Sequence, residues 1–172
     1  MASESTSQHR SQAAALPCVR AAVLTISDTR TPETDKSGAL IRQLLEEDGN
    51  TVSFQRILPD EPALIRERVI ELCNAGQVQV IICNGGTGIA PRDGTFETLS
   101  SLIERPLPGF GELFRMLSWQ EVGPAAMLSR ATAGLIGRVV IFSTPGSTNA
   151  VEVAMTKLII PELRHLVWEM NR

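Results

Sequence analysis

The stretch at residues 78–98, VQVIICNGGTGIAPRDGTFET, limits what this chain can fold into more than any other. Val78, Val80, Ile81, Ile82 and Cys83 form a short apolar run rich in β-branched residues. A run of that length and composition reads as a strand covered on both faces, the pattern of a parallel sheet. It stops at Asn84, and Gly85, Gly86 and Gly88 follow within four residues. Glycines past the carboxyl end of a buried strand let the backbone come close to a ligand. Arg92 and Asp93 then set a cation beside a carboxylate, and Gly94, Thr95 and Glu97 predict the start of a helix, with Thr95 as its cap. Strand, glycine loop, charged pair and helix start together make a candidate phosphate site. The spacing is not G-x-G-x-x-G, and no Gly-Lys-Ser or Gly-Lys-Thr follows, so neither the dinucleotide nor the P-loop fingerprint applies.

The rest of the chain repeats this unit. Val19, Ala21, Ala22, Val23, Leu24 and Ile26 predict a first strand that ends at Ser27 and Asp28. Those two lie where open parallel sheets bind ligands, or they satisfy backbone groups in a turn. Leu40, Ile41, Leu44 and Leu45 recur at helical spacing over residues 37–48, and Gly49 suits the stop. Val52, Phe54 and Ile57 give a second strand; Leu64, Ile65, Val69, Ile70 and Leu72 give a second helix that closes at Gly76. Between them stands Asp60. Its plainer reading is a helix N-cap worth about 1 kcal/mol over Ala. The alternative is a carboxylate on the same rim as Asp93, able to hold a divalent cation.

Phe96, Leu99, Leu102 and Ile103 predict a short helix after the glycine loop, and residues 104–111, ERPLPGFG, read as a loop. Residues 112–122 resume helical spacing, and their Leu113, Phe114, Met116, Leu117 and Trp119 predict packing, in the core or between subunits. Residues 125–135 are mostly apolar around one polar pair, Ser129 and Arg130. Arg130 is either a solvated side chain or a binder of carboxylate or phosphate. Residues 138–142, RVVIF, give another buried strand, which runs into Pro145, Gly146, Ser147 and Asn149 and then a long helix that Pro161 kinks or restarts. Parallel order would put both Gly-containing loops on one rim. Alternating strands and helices make this an α/β chain.

Composition narrows the functional classes. At 172 residues one domain is expected, over residues 18–172, with residues 1–17 as a disordered polar tail. The tail lacks the apolar segment of a signal peptide, and no stretch approaches a membrane span. A formal net charge of -3 argues against a nucleic-acid binder. Cys18, Cys73 and Cys83 are odd in number and widely spaced, which fits reduced thiols in the cytoplasm. With only His9 and His165, there is no Cys/His cluster for zinc or iron.

Several segments together resemble the MoaB/MogA family of molybdenum cofactor biosynthesis proteins, the molybdopterin adenylyltransferases. They are LTISD at residues 24–28, NGGTG at 84–88, Arg92-Asp93, PGFGE at 108–112, LSR at 128–130 and PGS at 145–147. The run FRMLS at residues 114–118 is similar to the MoaB branch. The resemblance implies a three-layer α/β/α fold with a mostly parallel central sheet, assembled as a homotrimer or homohexamer. It implies transfer of AMP from ATP to the terminal phosphate of molybdopterin, with release of pyrophosphate and with Mg²⁺. Asp60 and Asp93 match the family's two reaction-linked aspartates and are assigned to the metal. Gly85, Gly86, Thr87, Gly88, Pro145, Gly146 and Ser147 would then hold nucleotide phosphates, while Ser27, Asp28, Ser129, Arg130 and Asn149 would contact molybdopterin. A downstream molybdenum insertion protein is the implied partner. The chain departs from the family at Gly94 and Phe96, where Val and Pro are expected. A molybdopterin carrier of the same fold, without catalysis, is the alternative. A nicotinamide-dependent oxidoreductase is disfavoured by the missing fingerprint.

Overall fold

A computed structural model describes residues 18–172. The tail expected over residues 1–17 lies outside the described residues. Six strands form one sheet: β1 (Arg20–Ile26), β2 (Thr51–Leu58), β3 (Val80–Asn84), β4 (Arg105–Pro106), β5 (Thr132–Ile136) and β6 (Val139–Thr144). The spatial order is β2-β1-β3-β6-β5-β4. The first four of that order run parallel, and β5 and β4 continue the sheet antiparallel. Helices α1 (Lys36–Glu47), α2 (Pro62–Ala75), α3 (Thr95–Leu102), α4 (Pro108–Val122), α5 (Thr148–Ala154) and α6 (Ile160–Asn171) cover it.

Period-two alternation sorts the strand residues between two cores. Val23, Val80, Ile82, Val140 and Phe142 face one side, where Ile41 and Leu45 of α1, Phe114 of α4, Val151 of α5 and Leu163 of α6 meet them. Leu24, Ile26, Ile81, Cys83 and Ile141 face the other, packed on Ile65, Val69 and Leu72 of α2 and Leu99 of α3. This is the expected three-layer α/β/α arrangement. Because the central strands are covered on both faces, their sequences are apolar at consecutive positions rather than at alternate ones.

One local expectation needs correction. The segment read as a loop over residues 104–111 contains β4, and α4 begins at Pro108. Pro is favoured in a helix's first turn because its missing N–H has no partner there in any case. Gly111 lies inside the helix because a Cβ there would press on the carbonyl of Ala131 just before β5. The stretch at residues 125–135 divides into a 3₁₀ turn, Gly123–Leu128, and β5. At the C-terminus the expected interruption is a π turn, Met155–Ile159, and α6 starts immediately before Pro161. The wider turn accommodates the proline ring and its missing donor.

Gly85 and Gly86 have φ of 99° and 63°. A side chain at Gly85 would also overlap the carbonyl of Ile26 at the end of β1. Gly76, the left-handed residue after α2 with φ 66°, has open space around it. Gly76→Ala should therefore cost about 1 kcal/mol, the left-handed penalty alone, and Gly85→Ala distinctly more. Midpoints and slopes of urea unfolding for the two variants check the order.

Candidate active site at the carboxyl rim of the sheet

In the order β2-β1-β3 the chain leaves β1 first to one side and then to the other, so β1 and β3 flank a topological switch point, the usual ligand position in open α/β sheets. Thr25, Asn84 and Thr144 are register partners at the ends of β1, β3 and β6. Beyond them the Gly85 N–H donates to the Thr144 carbonyl at 3.0 Å, and a Cβ on Gly146 would lie only 3.0 Å from Cα of Gly85. The two glycine-containing loops thus meet on one rim. They border a cleft of about 360 Å³, lined also by Ser27, Arg30, Leu128 and Ser129.

A polar chain underlies the cleft. The Thr25 hydroxyl donates to Asp35 Oδ2 at 2.7 Å, and Asn84 Nδ2 donates to Thr25 Oγ1 at 3.0 Å. Arg30 donates to Asp35 Oδ1 at 3.2 Å, to the Ser37 hydroxyl, and to the Gly146 carbonyl at 2.7 Å. Arg30 therefore joins the first loop to the last. Sequence reasoning did not single it out; the available signal was an arginine a few residues past the end of β1. Among the described residues, the buried Oδ1 of Asn84 has no hydrogen-bond donor.

Asp60 does not cap α2. That cap is Glu61, with no side-chain bond, followed by Pro62. The Asp60 carboxylate instead reaches the start of α3, accepting from the Thr95 hydroxyl at 3.2 Å and from the Gly94 N–H. Thr95 is likewise not the cap of α3; Gly94 holds that position, and the Thr95 hydroxyl is committed to Asp60. Gly86 has no room for a side chain because Thr95 and Asp60 fill it. Burial pushes the Asp60 carboxyl up, the Thr95 and Gly94 bonds draw it down, and the charges of Asp93 and Asp28 add to the rise, which prevails.

Asp28 is braced on both oxygens, by the Asp60 N–H at 3.1 Å and by Arg92 Nε at 2.7 Å. The Arg92 hydrogen bond, followed by that of the Asp60 N–H, holds the Asp28 carboxyl below its ordinary range. The Asp93 carboxylate accepts from the Ala90 N–H at 2.9 Å and borders a second cleft, of about 500 Å³, with Arg66, Glu97 and Arg130.

The candidate residues consequently fall in three places. Ser27, Gly85, Gly86, Thr87, Gly88, Ser129, Pro145 and Gly146 line the first cleft. Asp93 and Arg130 line the second, across the glycine loop, with Asp28 and Asp60 linked to each other at the ends of β1 and β2. Ser147 caps α5, its hydroxyl accepting from the Ala150 N–H at 3.2 Å, and Asn149 is exposed in the first turn. Among the described residues no group of three or more His, Cys, Asp or Glu side chains is disposed to hold a metal, and no helix is long and apolar enough to cross a membrane.

The three-layer α/β/α fold brings two glycine-containing loops to the carboxyl rim of one sheet, with Asp28, Asp60 and Asp93 beside them. Residues 22–165 match the family described as "Probable molybdopterin binding domain". The chain is 49% identical to Molybdenum cofactor biosynthesis protein B of Bacillus subtilis (strain 168) over 169 residues, 98% of each chain. It is 50% identical to the protein of the same name from Halalkalibacterium halodurans over 167 residues, 96% of this chain and 97% of that one. A crystal structure of Molybdenum cofactor biosynthesis protein B superposes with a TM-score of 0.88 at 51% identity, covering 90% of this chain and 97% of the other. The tungsten cofactor synthesizing protein MoaB from Pyrococcus furiosus superposes with a TM-score of 0.82 at 37% identity, covering 92% and 100%. The chain belongs to the MoaB/MogA family of molybdenum cofactor biosynthesis proteins.

The raised Asp60 carboxyl has a signed consequence. Above the ordinary value of 3.8 the folded chain keeps a proton that the unfolded chain gives up. Stability therefore falls as pH rises from 3.8 through the raised value and stays lowered above it. Asp60→Asn carries no such penalty, so it should melt above the parent at pH 7, with the gap closing as pH approaches 3.8. Calorimetric melting across that range checks this; a variant less stable than the parent at pH 7 would count against it.

Proposed function

We propose that this chain transfers AMP from ATP to the terminal phosphate of molybdopterin and releases pyrophosphate. The observation that carries the reading is the meeting, on one rim, of two glycine-containing loops with two carboxylates, Asp60 and Asp93, whose oxygens abut Gly86 and Gly88 of the first loop. The loops suit phosphates, while the carboxylates alone would repel them and so suit a site that also receives a cation.

In the reaction a phosphate oxygen of molybdopterin bonds to the α-phosphorus of ATP as the bond to the pyrophosphate oxygen breaks. The attacking group is a phosphate monoester, whose second pKa is about 6, so it arrives largely ionised. It needs alignment and relief of charge repulsion rather than a general base. Backbone N–H groups of residues 86–88, with Gly85 shaping the loop and Pro145, Gly146 and Ser147 opposite, hold the phosphates. Ser27 and Ser129 offer hydroxyls to the pterin, and Asn149 extends the same wall. Asp60 and Asp93 fit a Mg²⁺ that arrives with the triphosphate, since Mg²⁺ commonly takes one or two carboxylates and leaves the remaining positions to substrate and water. When bound, that ion offsets the repulsion between the two anions. This reading carries a cytoplasmic location and a downstream metal-insertion partner with it.

Purified protein with molybdopterin, ATP and Mg²⁺ should release pyrophosphate, and EDTA should stop it. Asp93→Asn should lower the rate by about 100-fold or more while calorimetry gives a molybdopterin Kd within about twofold of the parent. Tight molybdopterin binding with no pyrophosphate release at any divalent cation would favour the carrier reading; a fully active Asp93→Asn would overturn the assignment.

We also propose self-assembly, as a trimer or hexamer, through α4. Leu113, Met116, Trp119 and Val122 are 47%, 56%, 58% and 51% exposed along it, an apolar stripe of the kind that marks an interaction surface. Replacing Met116 and Trp119 together by Asp should lower the mass found in sedimentation to that of a single chain. An unchanged mass would remove α4 from the interface.

A further inference from the structure

Arg130 has a more defined task than contact with an anion. It lies between the 3₁₀ turn at Gly123–Leu128 and β5, and its side chain is 23% exposed. Its Nε donates to the Thr87 carbonyl at 3.0 Å. Its Nη2 donates to the carbonyls of Gly88 and, at 3.3 Å, of Asp93. Its Nη1 donates to the Glu97 carboxylate in the first turn of α3. The guanidinium also lies over the Phe96 ring, 5.1 Å from the centroid. One side chain thus grips the loop where it leaves the glycines and again where it enters the helix. Residues 89–92 between those points are exposed. Asp93 is held twice, through its carbonyl by Arg130 and through its carboxylate by the Ala90 N–H. Asp28, Asp60 and Arg92 brace the loop from the other side without touching these carbonyls.

We propose that Arg130 is a positioning residue. It fixes the course of residues 87–93, and so the direction of the Asp93 carboxylate, and it does not touch the substrate. The planar fork of arginine is what the task requires: donors on three nitrogens reach separate acceptors at once, and the flat face stacks on Phe96. A lysine would keep the charge but present its donors from a single point. Phe96, one of the two departures from the family pattern, becomes part of the same device. The catalytic consequence rests on the AMP-transfer reading; the ordering of the loop does not.

The test is Arg130→Lys, with Phe96→Leu as a milder perturbation of the same grip. In the ligand-free protein, amide hydrogen exchange over residues 88–93 should quicken by about tenfold or more in Arg130→Lys. Phe96→Leu should show a smaller effect at the same amides, with exchange in β1, β3 and β6 unchanged in both. In the transfer assay, Arg130→Lys should lower kcat by about tenfold or more, the order expected for a misdirected group. KM for molybdopterin and for ATP should stay within about twofold. Loop exchange equal to the parent in both variants would overturn the proposal, as would a raised KM for molybdopterin at unchanged kcat. If the parent transfers no AMP, the exchange measurement alone decides, and if Arg130→Lys does not fold, Phe96→Leu decides.

Discussion

The bonds made by Asp60 tie together three successive crossovers of the chain. Its N–H is held by Asp28 at the end of β1, it stands past the end of β2 itself, and its carboxylate receives donors at the start of α3, which follows β3. The strand ends of the parallel sheet are therefore not independent loops. The ends of β1 and β2 and the start of the helix after β3 are fixed relative to one another by one partly desolvated group. A carboxylate at a helix start is favoured by the N–H groups converging there, yet here burial raises it, and two other carboxylates add to the rise. A group kept ionisable against its surroundings is more common at functional sites than in scaffolding, and the stability that it forgoes is of the kind enzymes give up for activity.

The glycines of residues 84–88 serve that arrangement before they serve any ligand. Gly85 makes way for the Ile26 carbonyl, Gly86 for Asp60 and Thr95, and Gly88 for the Asp93 carboxylate. The loop is pressed onto the strand ends and onto the carboxylates at once. The same closeness brings the Pro145–Gly146 turn against it, so the first cleft is bordered by backbone more than by side chains. Bordering a cleft with backbone is an economical way to meet phosphate oxygens, since the donors are already fixed in place.

Much of the scaffold was legible in the sequence. β1, β3 and β6 each hold a run of consecutive apolar residues, and helical periodicity separates the runs. Together those two patterns demand strands covered on both faces, which means a parallel sheet between helical layers. The stops at Gly49 and Gly76 were legible too, because a left-handed residue after a helix is nearly a glycine's prerogative. Two-residue β4 and five-residue β5 carry too little pattern to announce themselves, and β4 joins the sheet by pairing with a strand distant in sequence. The PGFG segment read as a loop because Pro and Gly usually break helices; only the contact of Gly111 with Ala131 explains the glycine. At the site, residue types were legible and partners were not. Asp60 preceded a helix and so suggested a cap on it, but its oxygens turn to a helix that begins thirty-five residues later. Arg30 was overlooked because the partner that carries it across the cleft, the Gly146 carbonyl, lies 116 positions away and has no side chain to read.

The hold of Arg130 on carbonyl oxygens has a further meaning. Such a clasp is indifferent to the identity of the residues that it encloses. Ile89, Ala90 and Pro91 are exposed while their common framework is secured from behind. Substitution there is free to retune what the rim greets, with the carboxylate at the end of the segment staying where it was. Conservation of shape and drift of surface are thereby assigned to different parts of the same short segment.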